Sequence, residues 1–418
     1  MRRSDITVGL DVGSSQVRLV VAAHEEDRWR ILGTGKAPCN GLRKGVVVDI
    51  EETTNAINKA AETAERIAGV PIERAVISIG GSHVTAQPAK GVVAVSRADG
   101  EVGSEDVERV LASAQSIISP DTAANREIIH VVPRNFSLDN QSEIRDPVGM
   151  NGMRLEVDAL IITGSTPFIR NLSKCINQAG IEIAGAVASP LAAAEAVLNR
   201  RQKELGVVVV DIGVGTTDIA VYEEDQLIFI STLPVGAGHI TNDIAIGLKT
   251  GIEVAEKVKR EYGTAVAKDI SLKKEINLSR ISKNEEGTVK AKEIAEIIEA
   301  RMEEIFSLVN KELKRVKRDG MLPAGAVLTG GGAKLPGIVD LAKKELHLPA
   351  QVGFPIRMEG VGDSMDDPSF SVVTGLVLWD QVERASSGER LISNITDKIP
   401  DFMKSVHKMK DWFKTFLP

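Results

Sequence analysis

The sequence has little of the chemistry that marks several common protein classes. It contains only two cysteines, Cys39 and Cys175, which lie far apart in ordinary segments, so we expect a reducing compartment and no disulfide framework. The six histidines do not recur at helical spacing, which disfavours a zinc site built by the protein. Aromatic residues make up 3% of the chain, and the hydrophobic cores must therefore be built from aliphatic side chains.

Long apolar runs and an excess of positive charge are also missing. No run approaches the length that spans a bilayer, and the first residues pass into a strand pattern without the apolar core of a secretion signal. The formal net charge is −7, so the overall charge does not favour nucleic acid as a partner. With 418 residues, 43% of them hydrophobic, the chain is long enough for more than one core, and we expect several domains.

The chain is organised around the stretch from Val207 to Tyr222. Four valines lead into Asp211, and a turn rich in glycine and threonine follows before the apolar pattern resumes, which predicts strand, turn and strand. Glycine lets backbone amides approach an anion, and threonine hydroxyls add donors. Asp211 is a hard oxygen ligand for Mg²⁺, expected to act through water. A purely structural hairpin fits the same pattern. The candidate phosphate-binding residues here are Gly213, Gly215, Thr216 and Thr217.

A hairpin of the same kind lies near the N-terminus, and a third glycine cluster follows later. Two such hairpins, in corresponding places of the two halves, suggest two similar domains that close on one ligand. Asp11 is then expected to act on the metal ion in the same way as Asp211. The turn of the central hairpin is predicted to be two residues longer than that of the first. The third cluster could support a base or ribose on bare backbone. The remaining candidates are Gly13, Ser14 and Ser15 in the first turn and Gly330, Gly331 and Gly332 in the third cluster.

Three motifs in chain order resemble the two phosphate motifs and the adenosine motif of the actin-like ATPase superfamily: Asp11-Val-Gly-Ser-Ser, Asp211-Ile-Gly-Val-Gly-Thr-Thr-Asp218 and Thr329-Gly-Gly-Gly. The segment HVVPRNFSLDN and the DPxGMxGxRLEV pattern, Asp146 to Val157, are similar to the FtsA family of bacterial cell division proteins. The resemblance implies an α/β, actin-like (ribonuclease H-like) two-domain fold that binds ATP and Mg²⁺ between its halves.

Composition and resemblance together divide the chain. A first core domain takes residues 1–83 and 164–199, with a small inserted α+β subdomain at 84–163. A second core domain takes residues 200–263 and 320–384, with a small polar subdomain at 264–319. A linker at 385–399 and an amphipathic helix at 400–418 follow. In the FtsA family, the polar subdomain receives the C-terminal peptide of the tubulin-like FtsZ, and the insertion serves contacts with neighbouring protomers and later division proteins.

Two further features lie close to the central hairpin in the sequence. Gly236 and Gly238 precede a helix, whose free N-terminal amides attract anions, so this turn is expected to face the terminal phosphate; a plain loop also fits. Glu256 and Lys259 are three residues apart on the next helix. A Glu-x-x-Lys at the matching place in chaperone relatives contacts ribose and adenine, while a surface ion pair is the alternative.

The last stretch of the chain predicts a cationic amphipathic helix. Four of the fourteen aromatic residues fall within it, which packing on the body does not explain. Aromatic side chains flanked by lysines favour an anionic bilayer interface, although a helix that binds the body or a partner remains an alternative. The membrane-facing candidates are Phe402, Val406, Met409, Trp412, Phe413 and Phe416, with Lys404, Lys408, Lys410 and Lys414 around them.

These features predict a peripheral membrane adaptor at the cytoplasmic face of the bacterial inner membrane, at the division site. ATP closes the two halves, the closed form assembles into filaments, and the tail attaches FtsZ filaments of the Z-ring to lipid. No residue is marked as a catalytic base, with Thr216 and Thr217 as weak candidates, so we expect slow, switch-like ATP turnover. The alternatives are a pilus-assembly-type scaffold and a chaperone or sugar-kinase type of ATPase.

Overall fold

The computed structural model describes residues 6–25, 28–116, 125–283, 285–356, 358–360 and 365–386. The strands of these residues are β1 (Ile6–Val12), β2 (Gln16–Glu25), β3 (Arg28–Pro38), β4 (Leu42–Arg43), β5 (Val46–Val47), β6 (Arg74–Ile79), β7 (Thr85–Ala94), β8 (Arg126–Leu138), β9 (Gln141–Ile144), β10 (Arg154–Ser165), β11 (Glu182–Ala188), β12 (Val207–Ile212), β13 (Thr217–Glu223), β14 (Gln226–Leu233), β15 (Glu275–Asn277), β16 (Thr288–Lys290), β17 (Ala326–Thr329), β18 (Ala350–Val352) and β19 (Glu359–Gly360).

The helices of the described residues connect these strands and cover the sheets. They are α1 (Ile50–Ala68), α2 (Ser104–Ser116), α3 (Thr166–Gln178), α4 (Ser189–Val197), α5 (Arg200–Leu205), α6 (Ala237–Leu248), α7 (Ile252–Tyr262), α8 (Ala291–Arg315), α9 (Ile338–Leu346) and α10 (Ser371–Ser386).

The first domain is built on a six-stranded sheet in the order β11-β6-β1-β2-β3-β19. The helix α1 covers it because its apolar residues share one face, and its ends are set by the local sequence. Asp49 accepts a hydrogen bond from the Glu52 amide at 3.0 Å, and Gly69 ends the helix at a φ of 69°. Cys39 and Cys175 are buried and free, as the sequence predicts.

The second domain is built on a five-stranded sheet in the order β14-β13-β12-β17-β18. Its central strand β12 carries the four valines and is buried along its whole length. In each domain, the hairpin that holds an aspartate turn has a parallel neighbour: β1 pairs with β6, and β12 pairs with β17. The two domains therefore repeat the same local arrangement around their aspartate turns.

Two smaller units are attached to the core domains. The insertion forms a separate four-stranded sheet, β7-β10-β8-β9, with α2 against it. The polar subdomain combines the short pair β15-β16 with α8, which buries one apolar face at three- and four-residue steps. Among the described residues no helix is long and apolar enough to cross a membrane. The tail predicted at 400–418 lies outside them.

The end of the described chain belongs to the first domain, which corrects the prediction that residues 320–384 complete the second. The strand β19 pairs with β3 of the first sheet, with Glu359 opposite Arg30. The helix α10 packs on β1 and on α4, and Phe370, Val373 and other residues around it form a core cluster with side chains of β2 and β3. The sequence could not indicate this, because an apolar helix pattern does not show which distant sheet it covers.

Candidate functional site

The two aspartate hairpins have the same register. Asp11 lies opposite Arg18 in the first hairpin, and Asp211 lies opposite Asp218 in the second. In both, the amide of the glycine two residues after the aspartate donates to the carbonyl three residues further on, at 3.1 Å in the first turn and 2.9 Å in the second. The prediction of a longer central turn is therefore wrong. When the two turns are compared from their aspartates, as the strand pairing requires, they have the same length.

The Asp11 carboxylate of the first hairpin lies close enough to affect the ionisation of Asp211 and Asp218 in the second. Burial and, to a smaller extent, the neighbouring charges of Asp218 and Asp11 raise the pKa of Asp211 to about 8, although Arg18 opposes the rise. Burial and the Asp11 charge together raise the pKa of Asp218 to about 6, against the opposing effect of a hydrogen bond that Thr232 donates to it. The two aspartates predicted to share a ligand thus face one acidic space.

The Asp11 carboxylate has two stabilising partners. The Ser78 hydroxyl donates to Asp11 Oδ1 at 2.7 Å, and the Arg18 guanidinium lies close by. Burial still raises the pKa of Asp11, while Arg18 and Ser78 oppose the rise. Arg18 also donates to Gln16 at 3.0 Å and stacks over the Phe370 ring at 5.7 Å, so it connects the first turn to the start of α10.

The third glycine cluster lies directly on the second aspartate turn. Gly330 has a φ of 82°, and a Cβ at this position would overlap Asp211 Oδ1. Only glycine therefore allows this approach without strain. Gly332 packs against Ile212 in the same way, whereas a Cβ on Gly331 would meet nothing within 4 Å. The predicted adenosine motif and the predicted second phosphate motif form one continuous surface.

The two halves also touch at the phosphate turns. A Cβ on Gly215 would lie 3.0 Å from Ser14 Oγ and 3.1 Å from the Lys44 nitrogen. Ser14 Oγ in turn accepts a hydrogen bond from the Gly45 amide at 3.1 Å. The predicted phosphate-binding residues Ser14 and Gly215 are thus neighbours, although 201 positions separate them in the sequence.

The helix α6 begins against the second phosphate turn. The amides of Ala237 and Gly238 donate to the carbonyls of Gly213 and Val214 at 2.8 and 2.9 Å. These two amides, which the sequence treats as free to bind a phosphate, are already used to fix α6 to the turn. The structure therefore places Gly236 and Gly238 beside the predicted phosphate site. There the start of α6 supports the second phosphate turn, and the Gly238 amide is not free for a phosphate.

The predicted Glu256 and Lys259 pair differs from a plain surface ion pair because the Lys259 side chain is only 12% exposed, although that of Glu256 is 42% exposed. Lys259 Nζ lies 2.6 Å from Glu256 Oε2, and it donates to the Thr241 hydroxyl at 2.7 Å and to the Ala237 carbonyl at 3.2 Å. Thr241 also donates to Glu256 at 2.6 Å. This network joins α7 to the first turns of α6, which start at the second phosphate turn.

The two weak candidates for orienting water differ in their environment. The Thr217 side chain is buried, and its hydroxyl donates to the Val235 carbonyl at 2.8 Å. Its hydroxyl is therefore occupied, and Thr217 does not fit that role. Thr216 is partly exposed at the turn, and its role in orienting water stays a prediction.

Sequence reasoning missed four contributors to this site. Two of them could have been found from the sequence. Arg18 follows Asp11 by seven residues and Asp218 follows Asp211 by seven, so a tight turn places each opposite its aspartate on the neighbouring strand. Lys44 and Ser78 could not, since they lie on other hairpins and strands. Within the described ranges no group of three or more His, Cys, Asp or Glu side chains is arranged to hold a metal ion. The hydrated Mg²⁺ predicted at Asp11 and Asp211 stays a prediction.

The fold defined by these two hairpin-bearing domains is actin-like, and solved structures agree. The chain is similar to a protein of the PilM-PilN type IV pilus biogenesis complex, with a TM-score of 0.64 and 17% identity, covering 89% of this chain and 98% of the other. It is also similar to MreB5 of Spiroplasma citri bound to ADP, with a TM-score of 0.55 and 13% identity, covering 93% and 100%. At these identities the likeness shows the fold alone.

Sequence comparisons identify the family within this class. The family model for cell division protein FtsA matches residues 208–375, and the model for the SHS2 domain inserted in FtsA matches 81–163. FtsA of Pseudomonas aeruginosa is 35% identical over 97% of this chain and 96% of its own length, and FtsA of Bacillus subtilis is 39% identical over 90% and 84%. The chain belongs to the FtsA family of cell division proteins, as its motifs predict.

Proposed function

We propose that this chain is an ATP-binding, actin-like cell division protein that polymerises at the inner membrane and tethers FtsZ filaments to it through its C-terminal segment. The observation that carries the proposal is the meeting of three motifs: Asp11, Asp211 and Gly330 border one space between the two domains. Three separate glycine motifs that converge in this way fit a ligand with phosphates at one end and a base at the other.

The nucleotide and its metal fit the donors of this space. Mg²⁺ prefers carboxylate oxygen and retains several waters, which suits Asp11 and Asp211 as partners of a hydrated ion. The turns at 13–15 and 213–216 offer backbone amides to phosphates, apart from the Gly13 and Gly213 amides, which already donate within the turns. Gly331, which faces open space, leaves room for a base in this proposal, with Glu256 and Lys259 close to the ribose. A divalent cation would also favour the ionised form of Asp211, so nucleotide binding is coupled to the release of a proton.

Any ATP hydrolysis is slow in this proposal and serves as a switch. Hydrolysis needs an oriented water as well as bound phosphates. The Thr217 hydroxyl is bonded to the Val235 carbonyl, and burial raises the pKa of Asp211 to about 8, so without a metal ion this carboxyl is largely protonated near neutral pH and is a poor base. The nucleotide therefore controls closure of the two domains and the assembly of filaments more than it supports rapid turnover.

The membrane and partner roles rest on the tail sequence and on the family. Aromatic and lysine residues from Phe402 to Leu417 suit an anionic bilayer surface. In this proposal they hold the filaments at the cytoplasmic face of the inner membrane at the division site, the polar subdomain captures the FtsZ C-terminal peptide, and the insertion contacts later division proteins.

A co-sedimentation assay with anionic vesicles and a labelled FtsZ C-terminal peptide tests this directly. We expect the full chain with ATP to carry the peptide to the vesicles. Trp412→Glu with Phe413→Glu should abolish vesicle binding and leave peptide binding intact, because these changes affect only the tail. The matched control is Lys404→Arg, which keeps the charge. Vesicle binding that survives removal of the tail would contradict the proposal.

The other functions considered from the sequence have clear tests. A pilus-type scaffold would not bind the FtsZ peptide, and a sugar-kinase type of enzyme would show ATP turnover stimulated by a small hydroxylated substrate. A chaperone ATPase would carry a substrate-binding domain in addition to its nucleotide domains. Membership of the FtsA family favours the cell division role over all three.

A further inference from the structure

A small hairpin that lies outside the three predicted nucleotide motifs contacts both predicted phosphate turns. Its strands are β4 and β5, and its two-residue turn consists of Lys44 and Gly45. This turn contacts both halves: the Gly45 amide donates to Ser14 in the first phosphate turn, and the Lys44 backbone lies against Gly215 in the second. Gly81, where the chain leaves for the insertion, packs against Gly45 from behind. The turn is held at the junction of the two predicted phosphate motifs.

Lys44 occupies a backbone conformation that does not suit lysine. The φ values of Lys44 and Gly45 are 51° and 77°, as expected for a two-residue turn with both central residues in the left-handed region. Asparagine followed by glycine is the preferred pair in such a turn, and a non-glycine residue with a long side chain is disfavoured. A local choice that costs stability is often kept for function.

The charge at this position complements the site. The space between the domains is bordered by Asp11, Asp211 and Asp218, to which a polyphosphate would add further negative charge. The nearby guanidinium of Arg18 donates from Nη2 to Gln16 and lies over the Phe370 ring, while its buried Nε has no hydrogen-bond partner among the described residues. Lys44 is exposed and has no carboxylate partner among the described residues. Its flexible stem and compact ammonium group suit a phosphate oxygen.

We propose that Lys44 is a phosphate ligand of the nucleotide site, carried by the β4–β5 turn across the junction of the two domains. This inference rests on the proposed ATP binding and adds a residue that lies outside its three motifs. Binding at this turn would also favour closure, because the same turn touches Ser14 of one domain and Gly215 of the other.

Calorimetric titration of the full chain with MgATP tests the proposal, with Lys44→Asn as the main variant. Asparagine removes the charge but suits the turn, so the melting temperature should stay the same or rise. The affinity for MgATP should fall by about tenfold, the usual effect of losing one charge-assisted hydrogen bond. Lys44→Arg keeps the charge and should stay within about threefold of the parent affinity.

Arg43→Asn is the matched control, because it removes the same charge from the adjacent exposed position on β4. It should leave the affinity nearly unchanged. The proposal is overturned if Lys44→Asn binds MgATP as the parent does, or if Arg43→Asn loses as much, since net charge alone would then explain the effect. A fall in melting temperature that accompanies the lost affinity would also overturn it. If the parent chain itself binds no MgATP, the proposed function fails first.

Discussion

Buried carboxylates at the site couple its stability to pH. Unfolded, Asp211 has a pKa near 3.8, and burial raises it to about 8 in the fold. Between these values the folded chain holds a proton that the unfolded chain releases, so the free energy of unfolding falls as the pH rises. The stability that protonation contributes is fully present below pH 4 and is lost as the pH approaches 8.

The substitution Asp211→Asn should remove this dependence. Asparagine cannot ionise, so the variant should lose less stability than the parent between pH 5 and pH 8, by about 3 kcal/mol. At pH 8 without nucleotide it should be the more stable protein. Urea unfolding at the two pH values measures this, with the exposed Asp319→Asn as control. Parallel pH profiles for Asp211→Asn and the parent would contradict the assignment.

Two adjacent glycines give a second test at the residue scale. Gly330→Ala places a Cβ onto Asp211 Oδ1 and requires a positive φ, so it should destabilise the fold by about 1–3 kcal/mol. Gly331→Ala meets open space and should change stability by less than about 0.5 kcal/mol. Denaturant midpoints of the two variants give the comparison. Equal effects would mean that the adenosine turn does not press on Asp211.

The sequence predicts the residues of the turns better than the residues that support them. Asp11, Asp211 and the glycines could be identified because each motif is continuous along the chain. Ser78 could not, since its contact with Asp11 joins strands 67 positions apart. The role of Ala237 and Gly238 was also hidden, because a sequence does not show whether a helix N-terminal amide is free or already bonded.

At the scale of elements, the crossing of α4 and α10 connects the two domains. The alanine-rich α4 lies against α10 and also contacts β12 and β13 of the second sheet. A Cβ on Gly375 would overlap the Ala192 carbonyl, so the helices approach to backbone contact. The helix α10 covers the first sheet, and α4 contacts the second. In the proposed function, a rotation of one domain against the other therefore changes the packing at this crossing.

The substitution Gly375→Ala should force these helices apart. We expect a loss of about 2 kcal/mol in stability, because the added methyl meets backbone that cannot rotate away. Gly247→Ala in α6 is the control: its methyl would meet only the tip of Ile297, and alanine favours a helix, so it should be neutral or stabilising by about 1 kcal/mol. Thermal unfolding compares the two, and a stable Gly375→Ala protein would show that the crossing is loose.

Element patterns were largely predictable and their partners were not. The apolar runs on either side of the glycine turn predicted the central hairpin, because that signal is local. The placement of β19 and α10 on the first sheet was missed because it depends on pairing across more than three hundred residues. Apolar periodicity shows that a helix is covered on one face but not by which domain.

At the scale of the whole molecule, the account depends on two domains that hold one ligand. The effect of the Asp11 charge on Asp211 and the contact of Gly215 with Ser14 place the two halves around one space, and their hairpins share one register. In the proposed function, nucleotide occupancy sets the angle between the domains, and through it the surfaces available for assembly.

The most direct test is calorimetric titration of MgATP into the parent chain and into Asp11→Ala and Asp211→Ala. The account predicts one nucleotide per chain, with each single substitution weakening that same site by at least about tenfold and the pair together costing little more. If either variant binds MgATP with the affinity of the parent, or if the two losses belong to separate sites, the two hairpins do not share a ligand.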